Sequence, residues 1–265
     1  MARNDFAHAV GPSGRNAHPT TTMNARERAD RLLVARGLFE SRARAQAAIA
    51  AGRVTADGIP VRKASAAISS GAIIAAEPEH PYVSRGGVKL AAALDHFSLP
   101  LAGHVCLDVG ASTGGFTEVL LARGAKRVYA VDVGTEQLHR QLRARDEVVC
   151  IEQTDIRRLD SCRLPQQPDF AAIDVSFISL KLVLPAVGRL LAPRANILAL
   201  IKPQFEAKGR GIKKGIVRDE AIHRTVCDDI AAFLASFGWR SDGVVPCAIR
   251  GGDGNQEFFI EAARG

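Results

Sequence analysis

Among the residues of this 265-residue chain whose types can move a proton, Lys89, Asp174, Lys202 and Glu257 each stand in a distinct local setting. Lys89 lies in the stretch SRGGVKL, Asp174 in AIDVSFISL, Lys202 in LIKPQFE and Glu257 in RGGDGNQEFF. A lysine accepts a proton at neutral pH only if its ammonium form is disfavoured, and a second cation nearby does that. Two carboxylates in the same set can orient the ammonium groups. Taken singly, a lysine of this kind is more often half of a surface ion pair. Four such residues in distinct local settings make a set worth placing on a fold.

The second chemical signal is Asp108-Val109-Gly110-Ala111-Ser112-Thr113-Gly114-Gly115-Phe116. Glycines let a backbone approach a ligand closely, and a helix start offers unpaired N–H groups to a carboxylate or phosphate. A dinucleotide-binding loop reads G-x-G-x-x-G, whereas the spacing here is G-x-x-x-G-G, so that reading fails. Two further carboxylates follow strand-like segments: Asp132 in YAVDVG and Asp155 in EQTDI. Asp155 also suits a plain helix N-cap.

These groups need elements to hold them. Apolar runs without alternation lie at 105–109, 128–133, 148–151, 170–175 and 197–201, and helical stretches such as 116–123 and 180–191 fall between them. Runs of this kind suit strands buried on both faces of a parallel sheet. The expected fold is therefore a doubly wound, Rossmann-like α/β domain over residues 81–265, with Pro78 and Pro81 marking its start. Segments 244–249 and 257–262 read as antiparallel strands at the sheet's far edge. Strand carboxyl ends converge on one crevice in such a sheet, which brings Asp174 and Lys202 to the glycine loop.

The N-terminal third is different in charge. Residues 1–90 carry 13 Lys and Arg against 7 Asp and Glu, which places +6 of the net +7 there. Such asymmetry suggests a polyanion-binding appendage on a near-neutral body, although a solvated basic surface has the same composition. Residues 1–25 are polar and rich in Gly, Pro, Thr and Asn, and read as a disordered tail. From residue 26 the pattern is a short helix stopping at Gly37, then a second helix N-capped by Ser41. A hairpin turning at Ala56-Asp57-Gly58 and a strand at 72–75 complete a small α+β unit over residues 26–80.

The stretch RADRLLVARGLFESRARAQAAIAAGRVTADGIPV (residues 28–61) resembles the S4 RNA-binding domain. The resemblance implies RNA contacts from Arg31, Arg42, Arg44 and Arg53, with Arg85 just beyond, because rigidly held guanidinium groups suit phosphates of structured RNA. The D-x-G-x-x-x-G-G-F-T loop resembles motif I of FtsJ-type methyltransferases that use S-adenosylmethionine. On that resemblance Asp108, Gly110, Ala111, Ser112, Gly114, Gly115 and Phe116 bind the cofactor. Asp132 accepts from its ribose hydroxyls, Asp155 from its adenine amino group, and Asp174 also borders it. The order Lys89, Asp174, Lys202, Glu257 is similar to the catalytic tetrad of FtsJ-type ribose 2′-O-methyltransferases, over most of residues 83–265. With the S4 module in front, the chain resembles the hemolysin-A type, bacterial enzymes that methylate ribosomal RNA on ribose. The implied reaction fits the residue types: a ribose hydroxyl is weakly acidic and needs help losing its proton, from Lys202 as base or alkoxide stabiliser, tuned by Lys89.

Other readings are testable on the same residues. Amino-directed methyltransferases carry (N/D)-P-P-(Y/F) after the fourth strand, where this chain has Asp174-Val175-Ser176-Phe177. A nucleophilic cysteine for carbon methylation belongs near the fourth or fifth strand, and Cys247 lies well past both, so it reads as a core residue. The five cysteines are scattered without a C-x-x-C pair, which argues against disulfides or a metal site and for a reducing cytoplasm. No apolar run is long enough to span a membrane and the N-terminus lacks a secretory h-region. The alternatives are a non-catalytic RNA-binding protein on a methyltransferase scaffold and a membrane-active hemolysin. Ribosomal RNA or a ribosomal subunit is the expected partner, no membrane is, and oligomeric state is unreadable. Residues 205–215, four cations among glycines, read as a mobile cationic loop for RNA backbone or cofactor, or as an ordinary solvated loop.

Overall fold

The computed structural model describes residues 25–265; the expected N-terminal tail lies almost wholly outside the described residues. The chain divides into two compact units, one ending at Glu79 and one beginning at His80.

In the first unit β1 (Arg26–Arg28) leads into helices α1 (Ala29–Ala35) and α2 (Arg42–Ala50), followed by β2 (Val54–Ala56), β3 (Ile59–Pro60), β4 (Ala67–Ser69) and β5 (Ile74–Ala76). Ser41 caps α2 by accepting from the Arg44 amide at 3.3 Å, satisfying a donor the helix itself cannot pair. The strands form two antiparallel sheets, β1–β4 and β3–β2–β5. The β1–β4 pair is not apparent in the sequence, because three-residue strands leave no periodicity to detect. Leu33, Phe39, Ala45, Ile49, Val54 and Val61 form the small core.

The second unit opens with α3 (Arg85–His96) and continues as β6 (Val105–Val109), α4 (Gly115–Ala122), β7 (Arg127–Val131), α5 (Arg140–Arg143) and β8 (Val148–Ile151). It then runs through β9 (Phe170–Ile173), α6 (Leu180–Leu190), β10 (Ala195–Ile201), α7 (Pro203–Glu206), β11 (Ile212–Lys213), β12 (Ile216–Val217), α8 (Glu220–Ser236), β13 (Arg240–Pro246) and β14 (Phe258–Arg264). One seven-stranded sheet has the order β13-β14-β10-β9-β6-β7-β8, with β6 to β10 parallel and β13 and β14 antiparallel. The fold class is thus a doubly wound, Rossmann-like α/β domain that follows a small α+β unit in the chain.

Alternate strand residues fill opposite layers, as the period-two pleat requires. Leu107, Val109, Tyr129 and Ile173 pack with α6 and α8 through Leu184, Val187 and Ile230. Cys106, Val128, Ala172 and Leu200 face α3 and α4 through Leu90, Leu94 and Leu120, and Cys247 belongs to this layer. The chain leaves β6 toward β7 on one side and returns to β9 on the other, so the switch point lies between the carboxyl ends of β6 and β9. Trp239 and Arg264 close the far end. The Arg264 guanidinium stacks on the indole at 4.6 Å and donates to the Gly188, Leu191 and Ala192 carbonyls that end α6.

Candidate active site

Each predicted site residue of the second unit falls at or near that switch point for a topological reason. Gly110, Asp132, Asp174 and Lys202 directly follow β6, β7, β9 and β10, and parallel strands present their carboxyl ends on one edge. Glu257 precedes β14 and comes to the same edge because β14 runs antiparallel, with Phe258 opposite Ile201. Lys89 arrives from α3, a helix that the sequence pattern leaves unassigned. α3 packs on α4 closely enough that a Cβ on Gly115 would meet Ser84 Oγ at 2.1 Å and the Gly87 amide at 2.9 Å.

The four chemically suited residues form two ion pairs. Lys202 Nζ lies 2.6 Å from Asp174 Oδ1 and donates to Ser176 Oγ at 2.8 Å. Lys89 Nζ donates to Glu257 Oε2 at 2.5 Å, and both side chains are buried. A surface salt bridge is the ordinary fate of such residues; here the Lys89 and Glu257 side chains are only 10% and 4% exposed. An ammonium carries three donors, so Lys202, which donates to Ser176 beside its ion pair with Asp174, keeps donor capacity for a further acceptor. Ser176 is absent from the residues expected at the site. Its position two residues after Asp174 is the available signal.

Two adjoining cavities share Gly110, Ser112 and Asp174 as walls. One of about 240 Å³ is bordered by Ser84, Arg85, Lys89, Gly115 and Phe116. The other, about 490 Å³, is bordered by Asp132, Val133, Asp155, Ile156, Phe177 and Val183. The glycine loop makes room for both. Gly110 has φ +83°, and a Cβ there would sit 2.3 Å from the Asp174 carbonyl oxygen. α4 has no side-chain cap at its N-terminus, so its first N–H groups remain available to a ligand. Asp132 accepts from the Ser112 amide at 2.8 Å and the Gly134 amide at 2.7 Å, which leaves two of a carboxylate's roughly four acceptor positions open. That donor and acceptor set fits a nucleoside with a charged amino-acid end.

Of the expected cofactor residues, two line neither cavity and a third is engaged by a neighbouring arginine. Asp108 lines neither cavity. It is fully buried under the loop and accepts from Thr117 Oγ1 at 2.6 Å. Burial pushes its pKa up to about 7, with the like charges of Asp174 and Asp132 adding and the Thr117 bond opposing. Asp155 lines the larger cavity, but its carboxylate caps a 3₁₀ turn and is gripped by Arg157 at 2.6 Å, which holds it below the usual carboxylate range. Gly114 lines neither cavity; its φ of +100° allows the turn into α4 against Leu138 and Leu142. Phe177, at the aromatic end of the stretch 174–177, is not among the residues expected at the site. It is 90% exposed at φ +63° and packs only partly on Phe205, 5.0 Å between ring centres.

Comparison with known proteins is decisive at this point: residues 82–264 match the model of the FtsJ-like methyltransferase family, and residues 27–74 match the S4 domain. The chain belongs to the FtsJ-like methyltransferase family. This FtsJ-like enzyme is 42% identical over 241 residues to the 16S/23S rRNA (cytidine-2′-O)-methyltransferase TlyA of Mycobacterium tuberculosis, which covers 90% of each chain. It is 36% identical to Hemolysin A of Brachyspira hyodysenteriae, over 88% of this chain and 98% of that one. A solved structure from Streptococcus thermophilus is 43% identical, with a TM-score of 0.72 and coverage of 91% and 89%. The FtsJ-like enzyme takes S-adenosylmethionine as its methyl donor. Among the described residues no helix is long and apolar enough to cross a membrane.

The loop geometry yields a direct prediction. Gly110→Ala should lower S-adenosylhomocysteine affinity at least about tenfold, because a positive φ alone costs a non-glycine residue about 1–2 kcal/mol and the 2.3 Å contact forces β6 and β9 apart. Calorimetric titration reads this; unchanged affinity would show that the loop tolerates the displacement.

In the first unit the expected RNA residues divide. Arg31 is exposed, Arg53 pairs with Glu77 at 3.0 Å, and Arg44 is half-buried on α2. Arg42 is held by Asp30 at 2.7 Å, and the same carboxylate binds Arg28 at 3.0 Å and Gln46 at 2.8 Å. Asp30 is fully buried, and its arginines hold its carboxyl well below the usual range. Arg28 and this organising role of Asp30 are not legible in the sequence, since nothing in the spacing links residue 30 to residues 42 and 46. Arg85 borders the smaller cavity and donates to the Arg250 carbonyl at 3.0 Å.

Proposed function

We propose that this enzyme transfers a methyl group to a ribose 2′-hydroxyl of ribosomal RNA, with residues 26–80 as the RNA-binding domain and 81–265 as the catalytic domain. The observation that carries the reading is the pair of lysine–carboxylate contacts, Lys202–Asp174 and Lys89–Glu257, on the edge that also holds the glycine loop. The relatives at 42% and 36% identity align over most of their lengths, and the first is named for acting on cytidine 2′-oxygens in 16S and 23S rRNA.

S-adenosylmethionine, when bound, supplies an electrophilic methyl group and a thioether leaving group. The chain's own residues supply the rest. Gly110, Ala111, Ser112, Gly115 and Phe116 shape the binding loop, while Asp132 offers its open acceptor positions to hydroxyls. Lys202, beside Asp174 and Ser176, meets the substrate hydroxyl either as a neutral amine that takes its proton or as an ammonium that donates to the oxygen and steadies the alkoxide. Lys89 and Glu257 fix the opposite wall. Phe177 presents a bare aromatic face at the rim, which suits stacking on a nucleobase. Arg28 and Arg42, held in register by Asp30, along with Arg31, Arg44, Arg53 and Arg85, meet phosphates. With ribosomal RNA as substrate the reaction takes place in the cytoplasm.

The test is transfer of tritiated methyl groups to purified 30S and 50S subunits and to free rRNA, with the position mapped by low-dNTP primer-extension stops. A wild-type-specific stop is the expected result. Absence of transfer to every substrate, with S-adenosylmethionine bound, would leave RNA binding on an idle site as the reading.

A further inference from the structure

Beyond the site itself, the segment after α7 departs from an unstructured loop. β11 and β12 pair antiparallel, with Ile212 opposite Val217 and Lys213 opposite Ile216, and the tip turns through Lys214 at φ +51° and Gly215 at φ +79°. Lys208, Arg210, Lys213, Lys214 and Arg218 are all exposed on it, and no acidic residue occurs between Glu206 and Asp219. None of the five makes an ion pair among the described residues, whereas Arg143, Arg145 and Arg157 of the same unit each hold a carboxylate. A two-residue ladder is too short to hold its own shape in water.

What holds it is Asn255, which is 0% exposed. Its Oδ1 accepts from the Val217 amide at 2.9 Å, and its Nδ2 donates to the Gly215 carbonyl at 2.9 Å and to Asp253 Oδ2 at 2.7 Å. The side-chain amide thus serves the hairpin as an adjoining strand would, giving one acceptor and one donor to alternate backbone groups. A carboxylate lacks the donor and an aliphatic side chain lacks both. His223 Nε2, also buried, contacts the Val217 carbonyl at 3.1 Å. The backbone of Asn255 closes its own loop, accepting from the Gly251 amide at 2.9 Å and donating to Asp253 Oδ1 at 3.1 Å. Two residues on is Glu257, the partner of Lys89. A solvated loop gains nothing from a buried, fully bonded amide, whereas a loop that must present charge in a fixed place does.

From this we infer that residues 207–218 are an arm for the RNA sugar-phosphate backbone, and that Asn255 is the positioning residue that fixes the arm to the loop bearing Glu257. The inference rests on RNA being the substrate. Lysine ammonium groups meet phosphates as point charges, so the arm contributes affinity and register and leaves base choice to other residues.

The experiment measures binding of purified 16S and 23S rRNA to the full chain across a salt series, with S-adenosylhomocysteine affinity measured beside it. Lys213→Ala with Lys214→Ala should weaken RNA binding and lower the slope of log affinity against log salt by roughly 1–2. Asn255→Ala removes no charge, yet it should lower the slope comparably. Added to the lysine variant, it should change the slope no further. A residue with only a general structural role would give additive losses. S-adenosylhomocysteine affinity stays at the wild-type value in all three. The inference is overturned if the lysine variant keeps the wild-type slope, or if Asn255→Ala weakens S-adenosylhomocysteine instead, which would make the arm a cofactor flap. The lysines sit at an exposed tip, so their variant judges the arm even if Asn255→Ala does not fold. Methyl transfer by the wild type is run in parallel: its absence defeats the proposed reaction while the salt slopes still decide the arm.

Discussion

Lys202→Ala abolishes methyl transfer, with kcat falling about 10²–10⁴-fold, the range over which a positioned proton-transfer group contributes, while S-adenosylhomocysteine affinity stays within about twofold of wild type. The expectation follows from position. Lys202 directly follows β10, forms an ion pair with Asp174 at 2.6 Å and donates to Ser176 at 2.8 Å. Removing it takes away the cation held beside Asp174, a wall common to both cavities, and leaves the glycine loop intact. Single-turnover transfer to ribosomal subunits separates this from a change in RNA affinity. Lys202→Arg divides the two remaining roles: a guanidinium keeps the charge but does not accept a proton at neutral pH. Substantial turnover by the arginine variant assigns Lys202 as the cation beside the alkoxide. Wild-type turnover by the alanine variant removes Lys202 from the chemistry.

The second large effect is on stability as well as activity. Glu257→Ala leaves the Lys89 ammonium without its 2.5 Å partner in a site where both side chains are nearly excluded from water. Breaking a buried pair from one side costs about 3–5 kcal/mol, which for a domain of this size is roughly 6–20 °C in Tm. Removing both charges at once, as Lys89→Met with Glu257→Leu, should recover most of that loss, because well-packed apolar residues replace a buried pair at little cost. Methyl transfer should not recover. Urea unfolding and the transfer assay together make the check. A double variant as unstable as the single one would mean that the pair is held by packing around it, and a double variant with normal turnover would exclude the pair from catalysis.

Much of this site is legible in the residues alone. The G-x-x-x-G-G spacing excludes a dinucleotide loop, and the fold shows why the first glycine is required: its Cβ would strike the Asp174 carbonyl. Asp132, Asp174 and Lys202 stand out because each lies at the end of an apolar run that suits a buried strand. Asp108 marks the limit of such legibility. Its place in the motif suggests a ligand contact, but alternation along β6 points its side chain into the layer under α4, onto Thr117. Asp155 caps a turn, as one of its two readings has it, and its place on the cavity wall comes from the fold.

Charge asymmetry and short-range pattern identify the basic N-terminal unit, yet its arrangement around Asp30 has no local signature. One carboxylate gathers Arg28 from β1 and both Arg42 and Gln46 from α2, and the partners of a fully buried acid are set by which helices pack. The same holds for Asn255, which looks like a turn residue in a glycine-rich stretch and proves to be the buried link to the cationic hairpin.

The sequence by itself determined the parallel strands, the chemistry-bearing residues at their ends, the glycine loop and the two-part organisation of the chain. These are local or periodic properties: backbone freedom at glycine, hydrophobic runs, and the rule that parallel strands end together. The tertiary structure decided the pairings. Lys89 and Glu257 meet across 168 positions of chain, and Lys202 meets Asp174 from the end of a neighbouring strand. Which lysine meets which carboxylate depends on α3 packing against α4 and on β14 entering antiparallel beside β10. No residue spacing encodes that choice, because it is made by the burial of apolar faces far from the charges themselves.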